Sequence, residues 1–359
     1  MSTNRKTSTM KEIGKEHPVE YRREVLKPLF DCIIGAESCY LIGAGSMGKT
    51  RILDHMIRSD VQNDYLKERA AQTLICRVDM NRLSDYSEWE FYELMLFTFI
   101  QTIGNHEKDS LVKLSANLME KFLLPVLDQP ENTIRALRFL ELAISNLMVE
   151  DEENSICFLL DEFDEAYRRL PAKVFAHLRG IRDTHKNRLC YALLLRNQPA
   201  RLRPQMKEHE SFYELFSRNV IPIRAYTSKD ASAMISQLEE RRNRPIEEDE
   251  TREKIYLLSG GHPGLIQAIF SLLLKLSEGN SDLFDPRWLI TQEVIREECR
   301  KLLESLEAEE RAWLVQFTRE GLNGLDPQVR QILQVKGVLI KNELKTRVFS
   351  PILHLYLQQ

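Results

Sequence analysis

Six cysteines in 359 residues, none spaced as CxxC, leave the sequence without a zinc knuckle, a dithiol redox motif or a disulfide framework. Cys32, Cys39, Cys76, Cys157, Cys190 and Cys299 stand apart, mostly inside apolar stretches, as the reduced core thiols of a cytoplasmic protein would. No apolar run is long enough to cross a bilayer, and the first twenty residues carry no apolar segment of the signal-peptide kind, which argues against secretion and membrane insertion. Charge of one sign is missing too. Lys+Arg 50 against Asp+Glu 54 give a formal net charge of −4, so no global attraction to nucleic acid or acidic membranes is built in. HExxH and G-x-S-x-G are absent and the histidines are dispersed, which removes metalloprotease and hydrolase-elbow chemistry. No repeat of fixed period occurs.

What is present is enough chain for two or three domains with proper cores. Residues 1–20 are polar and charged, too poor in hydrophobic content to offset the entropy of ordering, and are expected to be a disordered tail. From Tyr21 onward, short apolar runs at residues 38–42, 73–78, 156–160, 189–195 and 219–223 alternate with helix-periodic segments. That alternation predicts an α/β core over 21–225, a parallel sheet covered on both faces. The long stretch 86–148 reads as crossover helices broken near Gly104 and at Pro125 and Pro130. After Ala225 the strand signal stops. Thr227-Ser228-Lys229-Asp230 is a helix start, opening a helical lid expected over 226–283, with 278–286 as a linker. Residues 284–359 order as helices, a short helix after Asp326-Pro327, and a small hairpin, the pattern of a winged helix-turn-helix.

Gly43-Ala44-Gly45-Ser46-Met47-Gly48-Lys49-Thr50 is a complete GxxxxGK[ST] loop between the apolar strand at 39–42 and a helix. Such a loop curls so that several backbone N–H groups and the helix N-terminus face phosphates. Lys49 would reach the β- and γ-phosphates, and the Thr50 hydroxyl would ligate Mg²⁺. Its partner is Phe158-Leu159-Leu160-Asp161-Glu162, an apolar strand ending in two carboxylates. Asp161 is placed to hold the Mg²⁺ hydration shell and Glu162 to polarise an attacking water, which favours hydrolysis over phosphoryl transfer to a small molecule. Asp164 and Glu165 read as a helix N-cap and a first-turn acid.

The strand sequence resembles the P-loop division with sheet order 5-1-4-3-2, in which the end of strand four lies beside the γ-phosphate. That likeness gives Arg196, just after Leu195, the position of a sensor. Arg218, before strand five, resembles the site from which AAA+ ATPases supply an arginine finger to a neighbouring subunit; Arg179 and Arg182 are alternatives, and a solvated arginine is the competing reading for each. Gly260-Gly261-His262-Pro263-Gly264 is ordinary punctuation between two helices. Taken together, the phosphate loop, Asp161-Glu162, the arginine after strand four, the Gly-His-Pro turn and the terminal winged helix resemble the STAND NTPases, relatives of the AAA+ and origin-recognition ATPases, over residues 21–359.

That resemblance implies a slowly hydrolysing ATPase that uses ATP/ADP and Mg²⁺ as a switch. It makes Pro263 a contact of the adenine or ribose, with His262 as its neighbour, and lays the winged helix over an ADP-filled site. It also implies an effector or sensor protein in trans and a nucleotide-dependent homo-oligomer. A DNA-binding initiator or transposition-helper ATPase is the alternative. Origin-recognition relatives carry a lid arginine where His262-Pro263 stands here. Charges nearly balance after Arg287, and the recognition helix offers only Arg330, so DNA is not favoured, although Lys336, Lys341, Lys345 and Arg347 cluster around the wing.

Overall fold

The computed structural model describes residues 17–204, 210–246, 248–275, 284–322, 324–341 and 345–359. Five short strands form one parallel sheet: β1 (Cys39–Ile42), β2 (Thr73–Asp79), β3 (Ser155–Asp161), β4 (Leu189–Leu195) and β5 (Val220–Pro222), in the order β2-β3-β4-β1-β5. This is the expected order, with β4 inserted between the strands that carry the two motifs. Strands buried on both faces cannot alternate apolar with polar, which is why they read as near-continuous apolar runs.

The period of two instead divides the chain between two cores. Leu41, Leu159, Ala192 and Ile223 face one, together with α1 (Arg23–Ile34), α2 (Lys49–Met56) and α3 (Ser59–Leu66). Tyr40, Phe158, Tyr191 and Leu193 face the other, under α4 (Glu88–Gly104), α5 (Asp109–Leu118), α6 (Thr133–Glu150), α7 (Phe163–Arg169) and α8 (Ala172–Thr184). The crossover segment does break at Gly104 and around Pro130. Pro125 breaks nothing: a π-turn at Met119–Leu123 leads from α5 into a short helix, Leu124–Leu127, and its wider loop accommodates a residue that cannot donate the usual backbone bond.

Helices α9 (Ser228–Arg242), α10 (Asp249–Ser259) and α11 (Pro263–Lys275) follow the sheet. Thr227 caps α9 as its sequence suggests, accepting the Asp230 N–H at 3.2 Å. Next come α12 (Glu293–Glu304), α13 (Ala308–Glu320), α14 (Pro327–Val335), an antiparallel hairpin of β6 (Leu339–Lys341) and β7 (Thr346–Val348), and α15 (Pro351–Leu357). The apolar faces of these helices join the α1–α3 core without a break: Met234, Ile266, Leu302, Phe349 and Leu353 belong to the same cluster as Leu41.

Residues 1–16 of the expected tail, and 276–283 of the expected lid and linker, lie outside the described residues. His17 to Glu20, which the tail expectation included, are ordered. The His17 ring stacks on Tyr21 at 3.8 Å and meets Gln237 of α9 at 2.6 Å, its carbonyl accepts from Arg58, and the Tyr21 and Tyr226 hydroxyls meet at 2.5 Å. An aromatic pair supplies enough buried area to hold a short polar segment down. Among the described residues no helix is long and apolar enough to cross a membrane.

Candidate functional site

Strand β1 ends at Ile42 and the chain turns through residues 43–48 into α2. Ser46 (φ 58°) and Gly48 (φ 80°) take left-handed backbone conformations that bend the loop around a concave space. Gly43 N–H donates to Leu195 O at 3.4 Å, Ala44 N–H to Lys336 O at 3.3 Å and Gly45 N–H to the Ser305 hydroxyl at 2.7 Å. The next five N–H groups, Ser46 to Thr50, have no protein acceptor among the described residues and line a cavity of about 750 Å³. Backbone donors left unpaired at a helix N-terminus fit phosphate oxygens, so a nucleotide suits the residues present. Lys49 reaches back to the Gly43 carbonyl at 3.1 Å. Burial pushes its ammonium down to about 8, helped by Arg196, while Glu162, Asp164 and Asp161 pull the other way.

Asp161 ends β3. Its Oδ1 accepts the Glu162 N–H at 2.9 Å, and its Oδ2 accepts from Arg77 of β2 at 2.7 and 3.2 Å. Burial raises Asp161 above the ordinary carboxylate range, against the pull of Arg77. Glu162 takes φ 51°, a left-handed backbone that costs a non-glycine residue on the order of 1 kcal/mol and turns its side chain into the cleft. There its Oε2 pairs with Arg196 at 2.6 Å, so the sensor candidate and the base candidate do come together. Among the described residues no group of three His, Cys, Asp or Glu could hold a metal unaided. Mg²⁺ would need phosphate oxygens as well as Thr50 and Asp161.

Asp164 corrects the cap expectation. Glu162 occupies the N-cap position of α7, and the buried Asp164 carboxylate accepts the N–H groups of Arg196 at 2.8 Å and Asn197 at 2.9 Å, anchoring the loop after β4. Asp164→Asn would turn one of these acceptors into a donor and leave a buried N–H unpaired, a loss of about 1–3 kcal/mol in loop position. The expected result is a turnover reduced by about tenfold or more with ADP affinity within about threefold of wild type, read from steady-state hydrolysis and ADP titration. Equal loss of both would contradict a positioning role.

The three arginine-finger candidates fall away from the cleft. Arg218 is exposed before β5 and does not line the cavity. Arg179 pairs with Asp183 at 2.7 Å and donates to Ser211 O at 2.7 Å, and Arg182 also meets Asp183.

The Gly-His-Pro turn divides its work. Pro263 and Gly264 line the cavity, with Met234 and Gln267 beyond them, whereas His262 does not. Its buried ring faces the underside of the loop, Nε2 lying 3.4 Å from Gly45 O, Nδ1 accepting the Leu265 N–H and the plane stacking on Phe349. Burial holds His262 down at about 4, opposed by the Gly45 carbonyl and Glu298. A base depressed on folding stabilises the fold fully above its unfolded value of 6.5 and progressively less as pH falls toward 4. The expected loss is about 3 kcal/mol of unfolding free energy. His17, pushed down to about 3, and His55, also lowered, add to the slope. Urea unfolding at several pH values should therefore show a shallower acid slope in His262→Asn than in wild type; an unchanged slope would place the proton elsewhere.

The cavity's remaining wall was illegible in sequence. Val294, Glu298, Lys301, Glu304 and Ser305, on or just beyond α12, close it from the C-terminal side, Ser305 meeting Gly45 across 260 positions. A Cβ on Gly45 would lie 2.9 Å from Ser305 Cβ, so glycine is what permits this approach. Lys336 is a further correction. Grouped by sequence with the wing cations, it is fully buried and donates to Asn197 Oδ1 at 2.5 Å and Glu310 Oε2 at 2.6 Å. It is therefore unable to touch DNA phosphates in this arrangement; Lys341, Lys345 and Arg347 stay exposed.

No protein-family model matches the chain, and no curated protein does. Among solved structures it superposes on the Walker-type ATPase PABY2304 of Pyrococcus abyssi with a TM-score of 0.56 and 15% identity, over 98% of this chain and 99% of that one. The chain has the P-loop ATPase fold. The Aeropyrum pernix ORC2 protein, solved in ADPNP–ADP complexes, is also similar, with a TM-score of 0.48 and 16% identity over 93% of this chain and 90% of that one. Within this fold the phosphate loop, Glu162 and Arg196, at the ends of β1, β3 and β4, line the cavity, whereas Asp161, the last residue of β3, does not.

Proposed function

We propose that the protein binds ATP in this cleft, hydrolyses it slowly with Mg²⁺, and persists as a closed, ADP-holding switch. In this reading the N–H groups of Ser46 to Thr50 and the Lys49 ammonium hold the phosphates. Thr50 and Asp161 would hold Mg²⁺, which would supply charge neutralisation for the β- and γ-phosphates. Glu162 polarises water, and Arg196 exchanges its exposed ion pair with Glu162 for the γ-phosphate, an exchange made easy by the small worth of a solvated pair. Pro263 and Met234 flank the base and ribose.

The observation that carries the switch reading is the direct bonding of the C-terminal helices to the phosphate loop, through Ser305 to Gly45 and Lys336 O to Ala44. Nucleotide exchange then requires that wall to move, and its movement is what an effector in trans, or a second copy presenting Arg218, would read. The test is to denature protein purified without added nucleotide and identify what is released. Stoichiometric ADP supports the closed switch; an empty site sinks it.

A second reading is favoured by one observation, the exposed Lys341, Lys345 and Arg347 on and beside the hairpin: a DNA-binding initiator or transposition-helper ATPase. It requires duplex affinity that falls steeply with salt and weakens when these three are neutralised.

A further inference from the structure

Arg77 plays no part in the chemistry above, yet it holds the carboxylate on which that chemistry depends. It is the one cation of β2 and stands in register with Leu159 of β3. Its guanidinium gives Nη2 at 2.7 Å and Nε at 3.2 Å to Asp161 Oδ2, and Nη1 at 2.8 Å to Asp54 Oδ1. Asp54 follows Thr50 by four residues on α2, one turn below the hydroxyl expected to ligate Mg²⁺. The guanidinium thus bridges Asp161, the acid proposed for the metal, and Asp54, one turn along α2 from Thr50. A carboxylate offers about four lone-pair positions. On Asp161 two are taken by Arg77 and one by the Glu162 N–H. Two carboxylates alone would present a double negative charge to a divalent ion; with Arg77 between them the sum is a single charge. The pair is partly withdrawn from water, Arg77 at 25% and Asp161 at 7% exposure, where charge-assisted bonds hold better than at a free surface.

We propose that Arg77 is a built-in counter-cation of the nucleotide site, neutralising Asp161 so that a nucleoside diphosphate is retained without a divalent metal ion. Asp161 Oδ2 would be open to Mg²⁺ only when the guanidinium leaves it. This rests on the reading of the cleft as an ATP/ADP site. It assigns Arg77 a positioning role that tunes metal dependence, distinct from a strap that merely ties α2 to the sheet.

The experiment titrates ribose-labelled fluorescent ADP into the whole chain, once with excess Mg²⁺ and once with EDTA. In wild type the two affinities should agree within about threefold, whereas Arg77→Met should bind about tenfold or more tightly with Mg²⁺ than with EDTA. Arg77→Lys, which restores the charge, should return the ratio toward wild type. Mn²⁺ paramagnetic resonance without nucleotide should show tighter metal binding to Arg77→Met than to wild type. The proposal is overturned if wild-type affinity itself falls tenfold in EDTA, which needs no variant to fold, or if Arg77→Met keeps the wild-type ratio. A wild type that binds no ADP under either condition overturns the cleft reading and the role of Arg77 with it. Binding with an unchanged ratio overturns the latter alone.

Discussion

Lys49→Ala should abolish nucleotide binding, lowering affinity by about a hundredfold or more, while Glu162→Gln should keep ATP and lose turnover by about two to four orders of magnitude. The difference follows from where the two charges sit. Lys49 lies at the foot of the cavity among the unpaired N–H groups, with burial holding it at about 8, so a bound phosphate would offset its desolvation. Truncation removes the one ammonium the loop brings to the phosphates. Glu162 instead projects from a strained backbone into the cavity, where the contribution proposed for it is to the attacking water. Glutamine keeps the shape and an oxygen for Arg196 but removes the charge that attracts a proton. Filter binding and single-turnover hydrolysis read the two effects separately. Equal loss of binding in both variants would refute the assignment.

The second large effect is expected at the seam between the sheet and the C-terminal helices. Glu310→Gln should destabilise the fold by about 3–5 kcal/mol, because it leaves the Lys336 ammonium buried without a counter-charge. Lys336 and Glu310 are each 0% exposed, and burial already lowers the lysine, with Glu310 opposing. Glu310 Oε2 receives both Lys336 and the Glu307 N–H, while Oε1 is buried with no hydrogen-bond partner among the described residues, so the acid is desolvated more fully than it is repaid. Replacing both with apolar residues, Lys336→Met with Glu310→Leu, should recover most of the stability. It should also slow ADP release, since the seam then parts less readily. Urea unfolding gives the first quantity and displacement of labelled ADP the second. A double variant as unstable as Glu310→Gln would show that the ion pair, and not packing, holds the seam.

Much of the sheet could be read because its strands are buried on both faces and therefore continuous in hydrophobicity; residues 189–195 were bounded to the residue. The phosphate loop and Asp161-Glu162 were legible since their chemistry fixes residue types at adjacent positions. Asp164 misled because an acid at a helix start has an ordinary explanation, and only the return of β4 beside it reveals the two N–H groups it holds. Lys336 misled for a similar reason: lysine is rarely buried, and its partners lie 26 and 139 positions away. Ser305 carried no local signal at all. Arg77 did carry one, a lone cation inside an apolar strand, which marks a buried partner even when the partner is unknown.

The two unequal cores have a consequence for the order in which the protein is completed during synthesis. Among the described residues the side of the sheet under α4–α8 takes only Val220 and Val335 from beyond Phe216, so most of its cover has been made once β4 has emerged. The opposite side waits for Phe349, Ile352 and Leu357, because α15 and the hairpin belong to the same cluster as β1. Until α15 has been made, the phosphate loop stands above an open apolar surface, the kind of intermediate that invites chaperones or aggregation. A nascent chain can thus own a complete nucleotide-binding motif well before it owns a nucleotide site.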